Sequence, residues 1–303
     1  MTRSAPATTL GDGVLLVDKP VGPTSHDVVS VVRRALRTRR VGHTGTLDPF
    51  ASGLLLVCVN RATRLVEYLH GFDKEYVAIA ELGRVTDTLD PEGEVVATHP
   101  GVDSLGIPDV ASALTELASR TTQLPPVFSA KKVGGEAAHR RVRRGEEVEL
   151  EPVAVTIHSL DLLSWKPPLV EFRARVSTGT YIRALARDLG EILDVGGHLR
   201  ELRRTAIGPF SVDDAVSLDE IPGPGSLSQP AWLPSLEALP HLPQVAVDGA
   251  EAEDVLAGRT VSLAEDAGIA EGGPVAVSWE GRLLAVAEAG HGILHPRKVF
   301  TRD

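Results

Sequence analysis

The 303-residue chain is 43% hydrophobic and 24% charged, with a formal net charge of −10, the balance of a globular protein with room for one large domain and a small one. No apolar run approaches the ~18 residues a membrane-spanning helix needs, the single cysteine, Cys58, excludes an intrachain disulfide, and no repeats or low-complexity tracts occur. Residues 1–10 are polar and lack a signal-peptide hydrophobic stretch, so a cytoplasmic protein without membrane contact is expected.

Charge is unevenly distributed. Residues 213–303 hold 15 acidic against 5 basic side chains, whereas residues 1–212 hold 26 of each. Within the neutral part, Arg33, Arg34, Arg37, Arg39 and Arg40 form an acid-free cluster, and seven basic residues against one acid, Glu136, lie between Arg120 and Gly145. Local basic patches on a neutral domain suit a polyanion, although solvated charged faces also account for such clusters.

In chain order, Val14 to Val17 reads as a short strand that ends at Asp18-Lys19-Pro20 and a Gly-Pro turn. Thr24 or Ser25 can cap a helix whose Val28, Val32, Ala35 and Leu36 share a face, with Arg33, Arg34 and Arg37 in its last turn complementing the helix dipole. The loop His43-Thr44-Gly45-Thr46-Leu47-Asp48-Pro49 follows, then the continuous apolar run Leu54 to Val59, a buried strand. Its glycines permit close backbone approach to a ligand, and Pro49 holds Asp48 out of helical geometry beside a rigid sheet. Taken alone, the same residues also make an ordinary turn.

Ala62 to His70 predicts a helix, Lys74 to Leu82 a strand containing Tyr76, and Gly83 to Gly93 a turn-rich loop. Asp87 and Asp90 in that loop lack further ligands in step, so no metal site is expected. Val110, Ala113, Leu114 and Leu117 mark a helix; Leu124 to Gly135 then breaks regular structure before the basic run at 139–144, which suits a mobile flap that clamps phosphates. Glu171 to Ser177 alternates as a half-solvated antiparallel strand and leads to a helix with Ile182, Leu185, Leu189 and Ile192 inward. Arg183 falls in its first turn, where the dipole disfavours a cation and a carboxylate partner would explain it. Six prolines between Pro222 and Pro243 make a regular element unexpected there and place a domain boundary. A short helix around Glu251 to Leu256 and a hairpin of Val275–Trp279 with Leu283–Ala287 complete the chain.

The motif His43 to Pro49, with Lys19-Pro20-Val21-Gly22-Pro23-Thr24-Ser25 upstream, Lys74-Glu75-Tyr76, Tyr181-Ile182-Arg183 and Gly196 to Thr205 in order, resembles the signature of bacterial tRNA pseudouridine-55 synthases. The resemblance extends over nearly the whole chain. It implies an α+β pseudouridine-synthase fold, with a central largely antiparallel sheet and flanking helices over residues 10–235, a clamping insertion at about 124–150, and a small β-barrel RNA-binding (PUA-like) domain over 240–303.

It implies isomerisation of uridine 55 in the T loop of tRNA by a monomer, without metal or cofactor. Asp48 would be the catalytic carboxylate, a nucleophile or base, paired with Arg183 and kept ionised by it. Tyr76 would pack on the base and take part in removing the C5 proton, while His43 would fill the vacated stack and Leu202, otherwise an ordinary strand leucine, would line the uracil pocket. Tyr181, Lys19, Lys131, Lys132, Arg141 and Arg143 complete the substrate-binding set, with Lys19 supporting the loop. Phe128 and His139 stand where these synthases commonly carry tyrosines, so a hydroxyl contact there is lost or replaced.

Two other classes remain open on residues alone. A metal- or phosphate-dependent hydrolase could use His26, His43 and Asp48, yet no His-Glu-x-x-His, Cys-x-x-Cys or complete phosphate-loop motif is present. A non-catalytic RNA-binding or tRNA-folding protein would need the basic flap and terminal module but not Asp48.

Overall fold

The computed structural model describes residues 11–129, 132, 133, 136, 137, 141, 144, 146, 148, 150–221, 230–264 and 268–300. The first half of the chain forms β1 (Gly13–Lys19), α1 (Ser25–Ala35), β2 (Val41–His43), β3 (Ser52–Val59), α2 (Val66–His70), β4 (Lys74–Leu82), β5 (Arg84–Thr86), β6 (Val95–Thr98), α3 (Ile107–Ala118) and β7 (Thr122–Gln123). After β8 (Lys132–Val133), β9 (Glu136–Ala137) and β10 (Val153–Ala154) come β11 (Ile157–Lys166), β12 (Leu169–Val176), α4 (Ile182–Ile192), β13 (Gly197–Ile207), β14 (Phe210–Ser211), β15 (Val216–Ser217) and β16 (Trp232–Pro234). β17 (Gln244–Ala246), α5 (Gly249–Leu256), β18 (Val261–Ser262), β19 (Pro274–Trp279), β20 (Arg282–Gly290) and β21 (Ile293–Val299) follow.

The main sheet runs β11-β12-β4-β13-β3-β1-β15, with β14, β16 and β2 attached to β13, β1 and β3. Its pairings are antiparallel except β13 with β3 and β1 with β15. The expected mixed fold with a largely antiparallel sheet is therefore present.

Two strand patterns in the sequence reflect two burial regimes within this one sheet. β3 is apolar throughout because both its faces are covered: Leu55, Val57 and Val59 pack with Val28, Val29 and Val32 of α1, while Leu54, Leu56 and Cys58 pack on the opposite side. β12 alternates because only one face is covered. Phe172, Ala174 and Val176 are buried with Tyr76, Ala78 and Ala80 of β4 under α3 and α4, whereas Arg173 and Arg175 face outward.

Local expectations needed correction at four places. Ala62 to His70 is not one helix; a 3-10 turn over Asn60–Leu65 precedes the short α2. Part of Gly83 to Gly93 is strand, since β5 pairs antiparallel with β6. Thr24 caps α1 through a reciprocal capping box with Asp27, but the helix stops at Ala35 and Arg37 lies beyond it at a φ of 52°. Finally, the proline-bearing segment contains β16, which pairs antiparallel with β1 at Gly13 to Leu15. Pro234 is tolerated there because it closes a strand rather than interrupting a central ladder.

The C-terminal part forms a separate sheet in the order β17-β19-β20-β21-β18, whose outer strands β17 and β18 are not paired with each other among the described residues. Ala276, Leu283, Val286 and Phe300 of this region share an apolar cluster with Leu54, Leu56, Ala238, Leu239 and Leu242. The two sheets thus bury a common core on the face of β3 opposite α1.

Candidate active site

The Asp48 loop is the chain between β2 and β3, and its backbone is fixed at several points. Ser25, at the start of α1, both donates to the Leu47 carbonyl (3.1 Å) and accepts from the Leu47 amide (2.9 Å). The Gly22 amide donates to the Pro49 carbonyl at 2.8 Å. Lys19, fully buried, donates from Nζ to the carbonyls of Pro20 (2.9 Å), Pro23 (2.8 Å) and Pro49 (3.4 Å). Gly53 has a φ of +109°, and a Cβ there would lie 2.2 Å from the Arg204 carbonyl oxygen, so only glycine lets β13 approach at this point.

Arg204, 1% exposed, reaches back under the loop: Nε donates to the Leu54 carbonyl at 2.7 Å and Nη2 to the Gly45 carbonyl at 3.2 Å. Among the described residues it has no carboxylate partner.

Arg183 approaches from the other side, as expected from its place in the first turn of α4. Its Nε pairs with Asp48 Oδ2 at 3.0 Å. Its Nη1 pairs with Asp90 Oδ2 at 2.9 Å and donates to the Thr88 carbonyl at 3.0 Å, while Nη2 donates to the Phe128 carbonyl at 3.1 Å. The guanidinium fork is thereby committed in three directions. Asp90, 4% exposed, also accepts at Oδ1 from the Thr88 hydroxyl and from the Glu92 amide at 3.1 Å.

The charge balance at Asp48 differs from the sequence-based expectation. Burial is the largest influence and raises the carboxyl above the ordinary aspartate value; Arg183 opposes it, the Asp90 carboxylate adds to it, and Lys19 and Arg204 oppose it further. Burial likewise pushes the Lys19 ammonium down to about 8. His43 is lowered by burial and then by Arg204 and His26, and its Nδ1 is buried without a hydrogen-bond partner. These influences favour the neutral form of the imidazole.

Tyr76 and Leu202 lie on one face of the sheet, 7% and 8% exposed, in the cluster that contains Leu47 and Phe50. β4 and β13 pair Tyr76 with Arg204 and Ala78 with Leu202. An apolar wall therefore stands beside the half-exposed carboxylate of Asp48. Such a site can hold a flat, uncharged ring against one anionic oxygen in surroundings of low polarity.

Tyr181 caps α4, and its amide and carbonyl are clasped by the Gln123 side chain at 2.9 and 3.1 Å. That clasp, with Arg187 donating to the Leu124 carbonyl at 3.1 Å and Arg183 to that of Phe128, ties the root of the expected flap to α4. Phe128 enters the network through its backbone, which needs no hydroxyl. Arg141 pairs with Glu146 at 2.7 Å. Lys131, Arg143 and His139, together with the side chain of Lys132, lie outside the described residues. Among the described residues no group of three His, Cys, Asp or Glu side chains is placed to hold a metal ion.

Sequence reasoning missed Asp90 and Arg204. Asp90 was weighed only as a metal ligand, although Arg183 in a first helical turn called for an acid and one carboxylate does not use up its fork. Alternation along β13 carried the signal for Arg204, because it lies two residues from the inward Leu202.

The descriptor for the TruB family pseudouridylate synthase N-terminal domain matches residues 33–182, and that for the tRNA pseudouridylate synthase B C-terminal domain matches residues 183–223. The chain is 43% identical to tRNA pseudouridine synthase B of Thermobifida fusca, over 96% of this chain and 99% of that protein. It is 38% identical to the protein of the same name from Aquifex aeolicus, over 95% and 99%. Among solved structures, a Cbf5-Nop10-Gar1 complex aligns with a TM-score of 0.72 at 28% identity, covering 95% of this chain and 85% of that one. An archaeal box H/ACA sRNP Nop10-Cbf5 complex aligns at 0.69 and 26%, covering 97% and 87%. Identity of this order across almost the full length of both partners means that the chain belongs to the TruB family of pseudouridylate synthases.

Proposed function

We propose that the protein isomerises uridine 55 in the T loop of tRNA to pseudouridine, with Asp48 as the reacting carboxylate. The observation that carries this reading is the Asp48–Arg183 pair at 3.0 Å, set against the Tyr76–Leu202 wall. It agrees with the names of relatives matched almost end to end.

A uridine packed inside a folded loop must leave its stack before any side chain reaches it, at a cost of a few kcal/mol. The apolar wall then favours the uracil ring, Tyr76 packs on it, Leu202 lines its pocket and neutral His43 fills the vacated stack. Ionised Asp48 attacks C6 of the base, attacks the ribose, or removes the 2′ proton; each route breaks the C1′–N1 bond and rejoins C1′ to C5. The C5 proton leaves to a base or a relayed water near Tyr76. All atoms of the nucleoside are conserved, so the reaction calls for no redox equivalent.

Arg183 needs a second carboxylate for this chemistry. When Asp48 loses its charge by bonding or protonation, Asp90 keeps the buried guanidinium paired. Lys19, with its ammonium committed to three carbonyls, supports the loop from below.

The division at residues 10–235 and 240–303, the clamping role of 124–150 with Lys131, Lys132, Arg141 and Arg143 on phosphates, and the PUA-like nature of the terminal sheet belong to the same proposal. So does action as a monomer in the cytoplasm. The test is tritium release from tRNA transcripts labelled at uridine C5, with the wild type and with Asp48→Asn. Release by the wild type only, lost when position 55 is changed to cytidine, is expected; release by Asp48→Asn at a near-normal rate would overturn the assignment.

A further inference from the structure

The acid-free arginine cluster has no part in the chemistry above. Between Asp27 and Asp48 the chain carries five arginines and no acid. Arg33 is half-buried and turns inward, its Nη2 donating to the Val41 carbonyl at 2.9 Å. Arg34, Arg37, Arg39 and Arg40 are exposed, and among the described residues none of them has a carboxylate partner.

The backbone that displays them is rigid. Arg37 N donates to Arg34 O (3.4 Å) and Thr38 N to Arg33 O (3.2 Å), the crossed pair of bonds that ends a helix through a left-handed residue. That position favours glycine, yet here it holds Arg37 at a φ of 52°. The Thr38 hydroxyl and the Arg40 carbonyl are both bonded to Asn60, at 2.8 and 2.7 Å. β2 then runs from this corner straight to His43, three residues after Arg40, on the order of 10 Å along extended chain. The flap differs: its Arg141 and Arg144 both bond Glu146.

We infer that the corner between α1 and β2 is a docking surface for RNA backbone phosphates, formed by Arg34, Arg37, Arg39 and Arg40, that carries the substrate contact outward from the His43 side of the site. The inference rests on the proposed tRNA reaction and adds this surface to it. Exposed guanidinium groups on a fixed backbone, without acidic neighbours to compete, suit phosphates and carry no base readout.

The test is the salt dependence of tRNA binding by the full-length protein, wild type against the triple variant Arg34→Gln, Arg37→Gly, Arg39→Gln. Losing three phosphate contacts makes the slope of log K against log salt shallower by about 2 to 3 units, and losing one by about 0.7 to 0.9. Arg37→Gly relieves the left-handed position, and Arg39→Gln alone serves as a second variant should the triple fail to fold. A folded variant with the wild-type slope would overturn the inference and point to an acidic protein partner for the patch. A wild type that forms no pseudouridine and binds no tRNA would overturn the functional reading as well, so the two failures are distinct.

Discussion

Two buried arginines hold the Asp48 loop from opposite sides, and their partners differ in kind. Among the described residues, the Arg183 side chain bonds two carboxylates and two carbonyls, whereas that of Arg204 bonds only the carbonyls of Leu54 and Gly45. On the Arg183 side, charge is exchanged between partners that can each be neutralised without stranding a cation. On the Arg204 side a positive charge with no directly bonded carboxylate among the described residues is locked into the floor of the loop, where it bears on Asp48, His43, Lys19 and Lys74 alike. In the proposed reaction the first corner serves the reacting carboxylate; the second fixes the backbone and biases the charge above it.

This difference is open to attack by substitution. Arg183→Met leaves Asp90 buried without its cation, and a loss of about 3–5 kcal/mol in denaturant unfolding is expected. Adding Asp90→Asn should restore at least about 1 kcal/mol of it, because the two are coupled. Additive losses would mean that the pair is not a unit. Arg204→Met strands two carbonyls and no charge, so a smaller loss, about 1–3 kcal/mol, is expected from the same measurement. A loss equal to that of Arg183→Met would make the two corners equivalent.

The smallest effect concerns Lys19. Its folded value of about 8 lies below the ordinary lysine value of 10.5, so between these limits the unfolded chain binds more protons and stability rises with pH. The rise should be shallower in Lys19→Met over pH 8 to 10.5, where Lys74, also lowered to about 8, continues to contribute. An unchanged slope would show that Lys19 is not the titrating group.

Strand character was legible because burial regime writes itself into pattern. The unbroken run Leu54 to Val59 announced a strand covered on both faces, and the alternation of Glu171 to Val176 one covered on a single face. The helix start was legible to within one residue, at Thr24 or Ser25, and the capping box with Asp27 selects Thr24. The Asp48 loop was legible as glycine and proline chemistry and through its resemblance to known motifs. What could not be read were partners set by tertiary approach. Asp90 and Arg183 lie 93 positions apart, and nothing local tells which acid a first-turn arginine meets. Arg203 and Arg204 are adjacent and chemically identical, yet Arg203 faces out to pair with Asp18 at 2.8 Å while Arg204 is buried. Alternation from Leu202 tells which of the two turns inward, but not that its partners are the carbonyls of Leu54 and Gly45. The strand Trp232–Pro234 was hidden because Pro234 and the prolines around it argue against a strand unless Pro234 is known to sit at a strand end.

The most direct test of how these two corners set the charge on Asp48 is the pH dependence of kcat/KM for wild type, Asp90→Asn and Arg204→Met on a tRNA transcript. In the proposed reaction Asp48 must be ionised, so activity is expected to fall as pH drops through its folded value. Asp90 raises that value and Arg204 lowers it, so the acid limb should move to lower pH in Asp90→Asn and to higher pH in Arg204→Met. Limbs that move together, or that stay at the wild-type position in both folded variants, would contradict the assignment.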